Sequence, residues 1–128
     1  MMLISACLLG VRCNWCGDDK YKDVRAIELS RVEALIPVCP EQLGGLPTPR
    51  APTNGQNITS QFIRGAEETL RIANQLKVKE FIGKSDSPSC GCGQIYDGTF
   101  SGKLIPGDGV TAASLKRSGI RIITEEEL

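Results

Sequence analysis

Short apolar runs alternate with amphipathic segments along this chain, and the alternation predicts the fold. Met2-Leu-Ile-Ser-Ala6 reads as a buried strand that delivers Cys7 at its C-terminal end. A polar loop from Val11 to Tyr21 follows, and from about Asp23 to Leu35 the spacing of Val24, Ile27, Val32 and Leu35 turns helical. Leu35-Ile-Pro-Val38 is a second short apolar run, and it too ends in a cysteine, Cys39. Pro40 to Pro52 is dense in Pro and Gly and reads as a long functional loop. Thr59 or Ser60 then caps the strongest helix, which runs to about Lys77 with Phe62, Ile63, Ala66, Leu70, Ala73 and Leu76 at helical spacing. Lys79 to Gly83 is a third strand. A short helix from Val110 to Arg117 ends before Gly119, and Ile120 to Thr124 is the last strand. The acidic run Glu125-Glu126-Glu127 is expected to fray.

The order β-α-β-α-β-α-β predicts a single α/β domain over residues 1–128, a mainly parallel sheet of about four to five strands flanked by helices. Sites in such sheets lie beyond the carboxyl ends of the strands. Three expected strands end near cysteines, at Cys7, Cys39 and Cys90, so one rim is positioned to collect all three thiols.

Composition narrows the chemistry. Lys+Arg and Asp+Glu balance at 15 each, so no nucleic-acid partner is indicated, and the absence of His removes His-dependent catalysis. No stretch approaches a membrane span. The residues before Cys7 lack a basic leader and are too few for a signal-peptide core. Six cysteines without a secretory signal point to a reducing, cytoplasmic setting and to metal or catalytic use. Asn57-Ile58-Thr59 matches a glycosylation triplet, without meaning in that setting.

The most unusual stretch runs from Lys84 to Gly98, where Cys90, Cys92, serines, aspartates and glycines share an ordered loop. Thiolates on such a loop suit a soft metal or a metal–sulfur cluster. Two arrangements remain open at this level. Cys7, Cys39 and Cys90 suit a cluster that leaves one iron without a protein ligand. The pairs Cys13/Cys16 and Cys90/Cys92 instead suit a closed zinc site in a non-catalytic module. Near Cys39, Glu41 is a candidate general base. Ser87 and Ser89 flank Cys90 as candidate hydrogen-bond donors, Arg50 is placed to orient a polar ligand, and Asp97 is a further candidate contact. Gly107-Asp-Gly-Val-Thr-Ala before a helix is read as a turn, with anion binding a minor alternative.

Ser5-Ala-Cys7-Leu-Leu-Gly10, Val38-Cys39-Pro-Glu41-Gln-Leu-Gly-Gly-Leu-Pro47-Thr-Pro-Arg50, Ser87-Pro-Ser-Cys90-Gly and Ile95-Tyr-Asp-Gly-Thr-Phe-Ser-Gly102 together resemble the short thiouracil desulfidase family, from Met2 to about Thr124. The resemblance implies a 4Fe-4S cluster on Cys7, Cys39 and Cys90. It also implies a non-redox reaction in which the open iron takes the thiocarbonyl sulfur of 2-thiouracil while activated water attacks the carbon. Glu41 and Ser87, with Ser89 as second candidate, match the family's catalytic positions; Arg50 and Asp97 are the expected substrate contacts. The chain departs from the family where Arg-Tyr-Asp-Gly usually follows Cys13; here the residues are Asn14-Trp15-Cys16-Gly17. Cys92 is a further addition. These changes leave the substrate open to another thiopyrimidine or a thiolated nucleoside.

Overall fold

Leu3, Phe81 and Ile122 join one apolar cluster, and Ile4, Ile82 and Ile123 join another. Successive strand residues face opposite sides of a sheet, so these runs are apolar throughout because both faces are covered. The computed structural model describes residues 1–50, 58–99 and 101–128. The end of the Pro-rich loop lies outside them, and with it Asn57 of the glycosylation triplet.

In chain order the elements are β1 (Met2–Ser5), α1 (Val24–Leu29), β2 (Leu35–Val38), α2 (Pro40–Leu43), α3 (Thr59–Leu76), β3 (Glu80–Gly83), β4 (Gln94–Tyr96), β5 (Leu104–Pro106), α4 (Val110–Arg117) and β6 (Arg121–Thr124). Four strands form a parallel sheet in the order β2-β1-β3-β6. Ala73 of α3 and Ala112 and Leu115 of α4 pack on the Leu3/Phe81 face, while Ala26 of α1 and Leu8 pack on the Ile4/Ile82 face. This is the expected α/β architecture. Its register pairs Ser5 with Val38 and Gly83 with Thr124. The carboxyl ends therefore line up, and Cys7, Cys39 and the loop after Gly83 emerge at one rim. The chain leaves β1 toward β2 on one side and returns to β3 on the other, so the crevice of the topological switch lies between β1 and β3.

Several boundaries differ from the sequence pattern. The first helix is only six residues, capped by the Asp23 carboxylate, which accepts from Arg25 N at 2.9 Å and Ala26 N at 3.2 Å. Val32, counted toward its apolar face, is 83% exposed, so helical spacing there had no core to meet. Helix α3 starts as expected, but its N-cap position is Ile58 rather than Thr59 or Ser60. Pro40–Leu43, read as loop, is a one-turn helix with Pro at its first position, where the missing N–H is not needed. Its backbone meets α3 closely: a Cβ on Gly44 would lie 1.9 Å from Gln61 O, and one on Gly65 1.9 Å from Pro40 O. The stretch after Cys92 forms an antiparallel hairpin, β4–β5, which the chain pattern did not indicate.

The acidic C-terminus is a correction. Glu125 is buried, not frayed: its carboxylate accepts from Ser85 N at 2.6 Å and Ser85 Oγ at 2.9 Å and pairs with Lys84 Nζ at 3.7 Å. The backbone after β3 had donors with no local partner, and this carboxylate supplies the acceptor.

Candidate metal–thiolate site

Each thiol reaches the rim by a different local device. Cys7 sits on a 3-10 turn, Ala6–Leu9, that continues β1 and is closed by Gly10 in the left-handed region at φ 88°. Cys39 is the N-cap residue of α2, with Leu43 N donating to its carbonyl at 2.9 Å. Cys90 lies in a loop whose Ser87 Oγ accepts from Ser89 N at 3.2 Å and Cys90 N at 3.1 Å. That loop docks on α4: the carbonyls of Gly91, Pro88 and Ser89 accept from the N–H groups of Gly109, Val110 and Thr111 at 2.8, 3.0 and 2.9 Å. The first donors of α4 are thus consumed by the Cys90 loop, which leaves the Gly107–Gly109 turn no anion role.

Cys13, which the sequence reading left outside the cluster set, joins Cys7 and Cys39 at this rim. Cys13 is 2% exposed, and its thiol lies within hydrogen-bonding reach of both Cys7 and Cys39. Cys39 Sγ also approaches Cys13 O at 3.7 Å. Cys90 is buried against Ser5 and Ser89, with Cys39 and Glu41 as its nearest charge neighbours. The crowding shows in proton affinity. The hydrogen bond to Cys39 works to lower that of Cys13, but the bond from Cys7, burial and the charges of Cys7 and Glu41 outweigh it, raising its pKa to about 11. Cys39 is also driven upward, by its hydrogen bond with Cys13 and by burial, and burial pushes Cys90 up to about 12.

The remaining cysteines face elsewhere. Cys16 Sγ donates to Asp18 Oδ2 at 3.2 Å. Cys92 lies beside Asp108 and Lys116. The pairs Cys13/Cys16 and Cys90/Cys92 therefore send their sulfurs to separate places, against the geometry a four-cysteine zinc site requires. Among the described residues no three His, Cys, Asp or Glu side chains surround one common point as ligands of a single ion would. A metal–sulfur cluster asks for less, one thiolate at each of several irons. A donor set of soft thiols without imidazole suits it.

Glu41, in the first turn of α2, is the acid closest to this group, and its charge bears on Cys13, Cys39 and Cys90 alike. Arg50 Nη2 binds Glu41 Oε2 at 2.9 Å, with the two side chains 10% and 18% exposed. The backbone of Arg50 donates to Trp15 O at 2.8 Å, and Thr48 Oγ1 donates to Cys13 O at 3.3 Å, so the Pro-rich loop is tied to the Cys13 loop. Ser87 stays half-buried beside the site. Ser89, 1% exposed, turns inward to Thr111 Oγ1 at 3.3 Å. Asp97 sits apart, in the β4–β5 turn, where its carboxylate accepts from Thr99 N at 2.9 Å and Thr99 Oγ1 at 2.6 Å.

The altered segment after Cys13 has its own carboxylate. Asn14 is buried and exchanges two hydrogen bonds with Asp18, Nδ2 to Oδ1 at 2.8 Å and Asp18 N to Asn14 Oδ1 at 2.9 Å. These bonds, with those from Lys20 N and Cys16, hold the Asp18 carboxyl down at about 2.

Surface shape alone does not mark the site. A cleft of about 390 Å³ beside the rim is lined by Ser85, Asp86, Cys92, Gln94, Glu126 and Glu127, away from the converging thiols, and a second of about 250 Å³ reaches only Cys39.

The fold and site define the class: a parallel α/β domain with thiols and an arginine-paired carboxylate at the carboxyl rim of its sheet. The chain belongs to the 2-thiouracil desulfurase family, whose model it matches over residues 2–127. It is similar to the uncharacterized Bacillus subtilis protein YbbK, with 38% identity over 148 aligned positions covering 100% of this chain and 97% of that one. It is also similar to a solved structure described as the 4Fe-4S-dependent thiouracil desulfidase TudS, at 36% identity and a TM-score of 0.87, covering 99% of this chain and 91% of the other. At that likeness the two chains share a fold.

Proposed function

We propose that this protein is an iron–sulfur-dependent desulfidase that hydrolyses the thiocarbonyl group of a thiolated pyrimidine such as 2-thiouracil. The observation that carries the reading is the gathering of Cys7, Cys13, Cys39 and Glu41 at the carboxyl rim of the neighbouring strands β1 and β2. Family membership and the likeness to TudS support it. When bound by three thiolates, a 4Fe-4S cluster supplies one iron free of protein ligand, a Lewis acid with affinity for sulfur. Cys7 and Cys39 are two ligands in either assignment. For the third, the sequence pattern favours Cys90, whereas the interaction of the Cys13 thiol with both other thiols and the approach of Cys39 Sγ to Cys13 O favour Cys13, which we adopt.

The reaction consumes one water. Its oxygen bonds to the thiocarbonyl carbon, the C–S bond breaks, and sulfur leaves as sulfide with no net transfer of electrons. Glu41 takes the proton from that water, with its carboxylate held in one orientation by Arg50. The Ser87 oxygen already accepts two backbone N–H groups, so its hydroxyl hydrogen is available to the substrate. Ser89 shapes the Cys90 loop from inside. Arg50 is the substrate contact on the Glu41 side, and Asp97 belongs to the hairpin turn.

Replacement of Glu41 tests this reading, because glutamine keeps the shape and an acceptor for Arg50 while losing basicity. Glu41→Gln is expected to retain full iron content after anaerobic reconstitution and to release uracil from 2-thiouracil about 10²–10⁴-fold more slowly. Turnover within a few-fold of wild type contradicts Glu41 as the base.

A further inference from the structure

Arg50 has more donors than partners. Its side chain is nine-tenths buried, and Nη2 donates to Glu41 Oε2 at 2.9 Å. Nε and Nη1 are buried and find no hydrogen-bond partner among the described residues. Donors of a buried guanidinium left unmatched are costly, and native structures keep them where a ligand or a water completes the set. The unmatched donors belong to the side chain that pairs with Glu41, an acid whose charge acts on Cys13, Cys39 and Cys90.

We propose that Arg50 is the specificity-determining residue of the site and selects heterocycles that present an acceptor oxygen across the shared ring nitrogen from the thiocarbonyl. This rests on the desulfidase reading and names which thiolated bases fit it. In a uracil-type ring the group on the far side of N3 from the thiocarbonyl is a carbonyl, whose lone pairs match the free N–H groups of Arg50. In a cytosine-type ring the same position carries an amino group, which offers hydrogens to hydrogens. Arginine is suited to this reading because its charge is permanent and its donors are fixed in a plane. A hydrogen bond to a charged donor is among the stronger ones, and a site built around such a bond rejects the analogue that lacks the partner far more strongly than an apolar pocket rejects a missing methylene.

Two measurements test the proposal. In the first, kcat/KM of the reconstituted wild-type enzyme is compared for 2-thiouracil and 2-thiocytosine. The expected preference for 2-thiouracil is about 10²-fold. In Arg50→Met both rates fall, because Glu41 loses its partner, but the ratio collapses to within about threefold. A wild-type enzyme that does not discriminate, or an Arg50→Met enzyme that keeps the full ratio, overturns the proposal. The second measurement needs neither cluster nor variant. In cluster-free wild-type protein with 15N-labelled arginine, added uracil is expected to shift a protected guanidinium Nε–H resonance, and cytosine at the same concentration to leave it in place. Equal response to both bases, or to neither, means that water or the protein itself satisfies Arg50, and the proposal fails. Absence of 2-thiouracil turnover in wild type counts instead against the desulfidase reading, since the resonance experiment does not depend on chemistry.

Discussion

Cys13 and Cys90 make opposite claims on the same role. The Cys13 thiol interacts with those of Cys7 and Cys39, while Cys90 is buried with Ser5 and Ser89 as its hydrogen-bond partners. Removing one of only three protein ligands abolishes stable cluster binding, so Cys7→Ser, Cys39→Ser and Cys13→Ser are each expected to prevent reconstitution. Cys90→Ser is expected to leave iron and sulfide content near wild type. Iron analysis after anaerobic reconstitution decides it: retention of iron by Cys13→Ser with loss by Cys90→Ser restores the assignment read from the sequence. The placement of Cys7, Cys39 and Glu41 at the rim was legible because each follows an apolar run that forms a strand. Cys13 was not, because its neighbour Cys16 suggested a pair, and only the turn at Ala6–Leu9 folds residue 13 back over residue 7. Arg50 stood out in the sequence as a candidate ligand contact. Its pairing with Glu41 did not, since loop closure across a Pro-rich segment leaves no periodic signal.

At the scale of elements, the carboxylate depends on how α2 is seated. Helix α2 is a single turn and cannot hold itself; it is held by close backbone contact with α3, where Gly65 admits Pro40 O. A methyl group at position 65 would meet that carbonyl at 1.9 Å, with backbone rather than a flexible side chain in the way. Gly65→Ala is therefore expected to destabilise the fold by about 1–3 kcal/mol, although alanine is the better helix former in isolation. Thermal unfolding measures this, and an unchanged or raised Tm contradicts the contact. The strands and α3 were readable because their apolar periodicity matches a face that is in fact buried. Helix α1 was overextended because Val32 and Leu35 fit helical spacing while serving a turn and a strand. The β4–β5 hairpin gave little signal, since all three residues of β5 are exposed. Glu125 was misplaced for a related reason: a run of acids looks solvated until a buried donor such as Ser85 N is known to need one.

For the whole molecule, the order β2-β1-β3-β6 brings together residues that lie far apart in the chain. Cys7 and Cys13 come from the β1 side, Cys39 and Glu41 follow β2, and the Ser87 loop follows β3. This much follows from a parallel sheet with right-handed crossovers. The central claim is that this rim holds a cluster and performs hydrolysis rather than redox chemistry. The most direct measurement is anaerobic: the reconstituted protein is given 2-thiouracil in 18O-labelled water with no electron donor or acceptor, and uracil, sulfide and isotope content are followed together. The account predicts repeated turnover, uracil and sulfide in equal amounts, one labelled oxygen at the former thiocarbonyl carbon, and no activity in the iron-free protein. Turnover that proceeds without iron, that needs a redox partner, or that yields unlabelled uracil would contradict it.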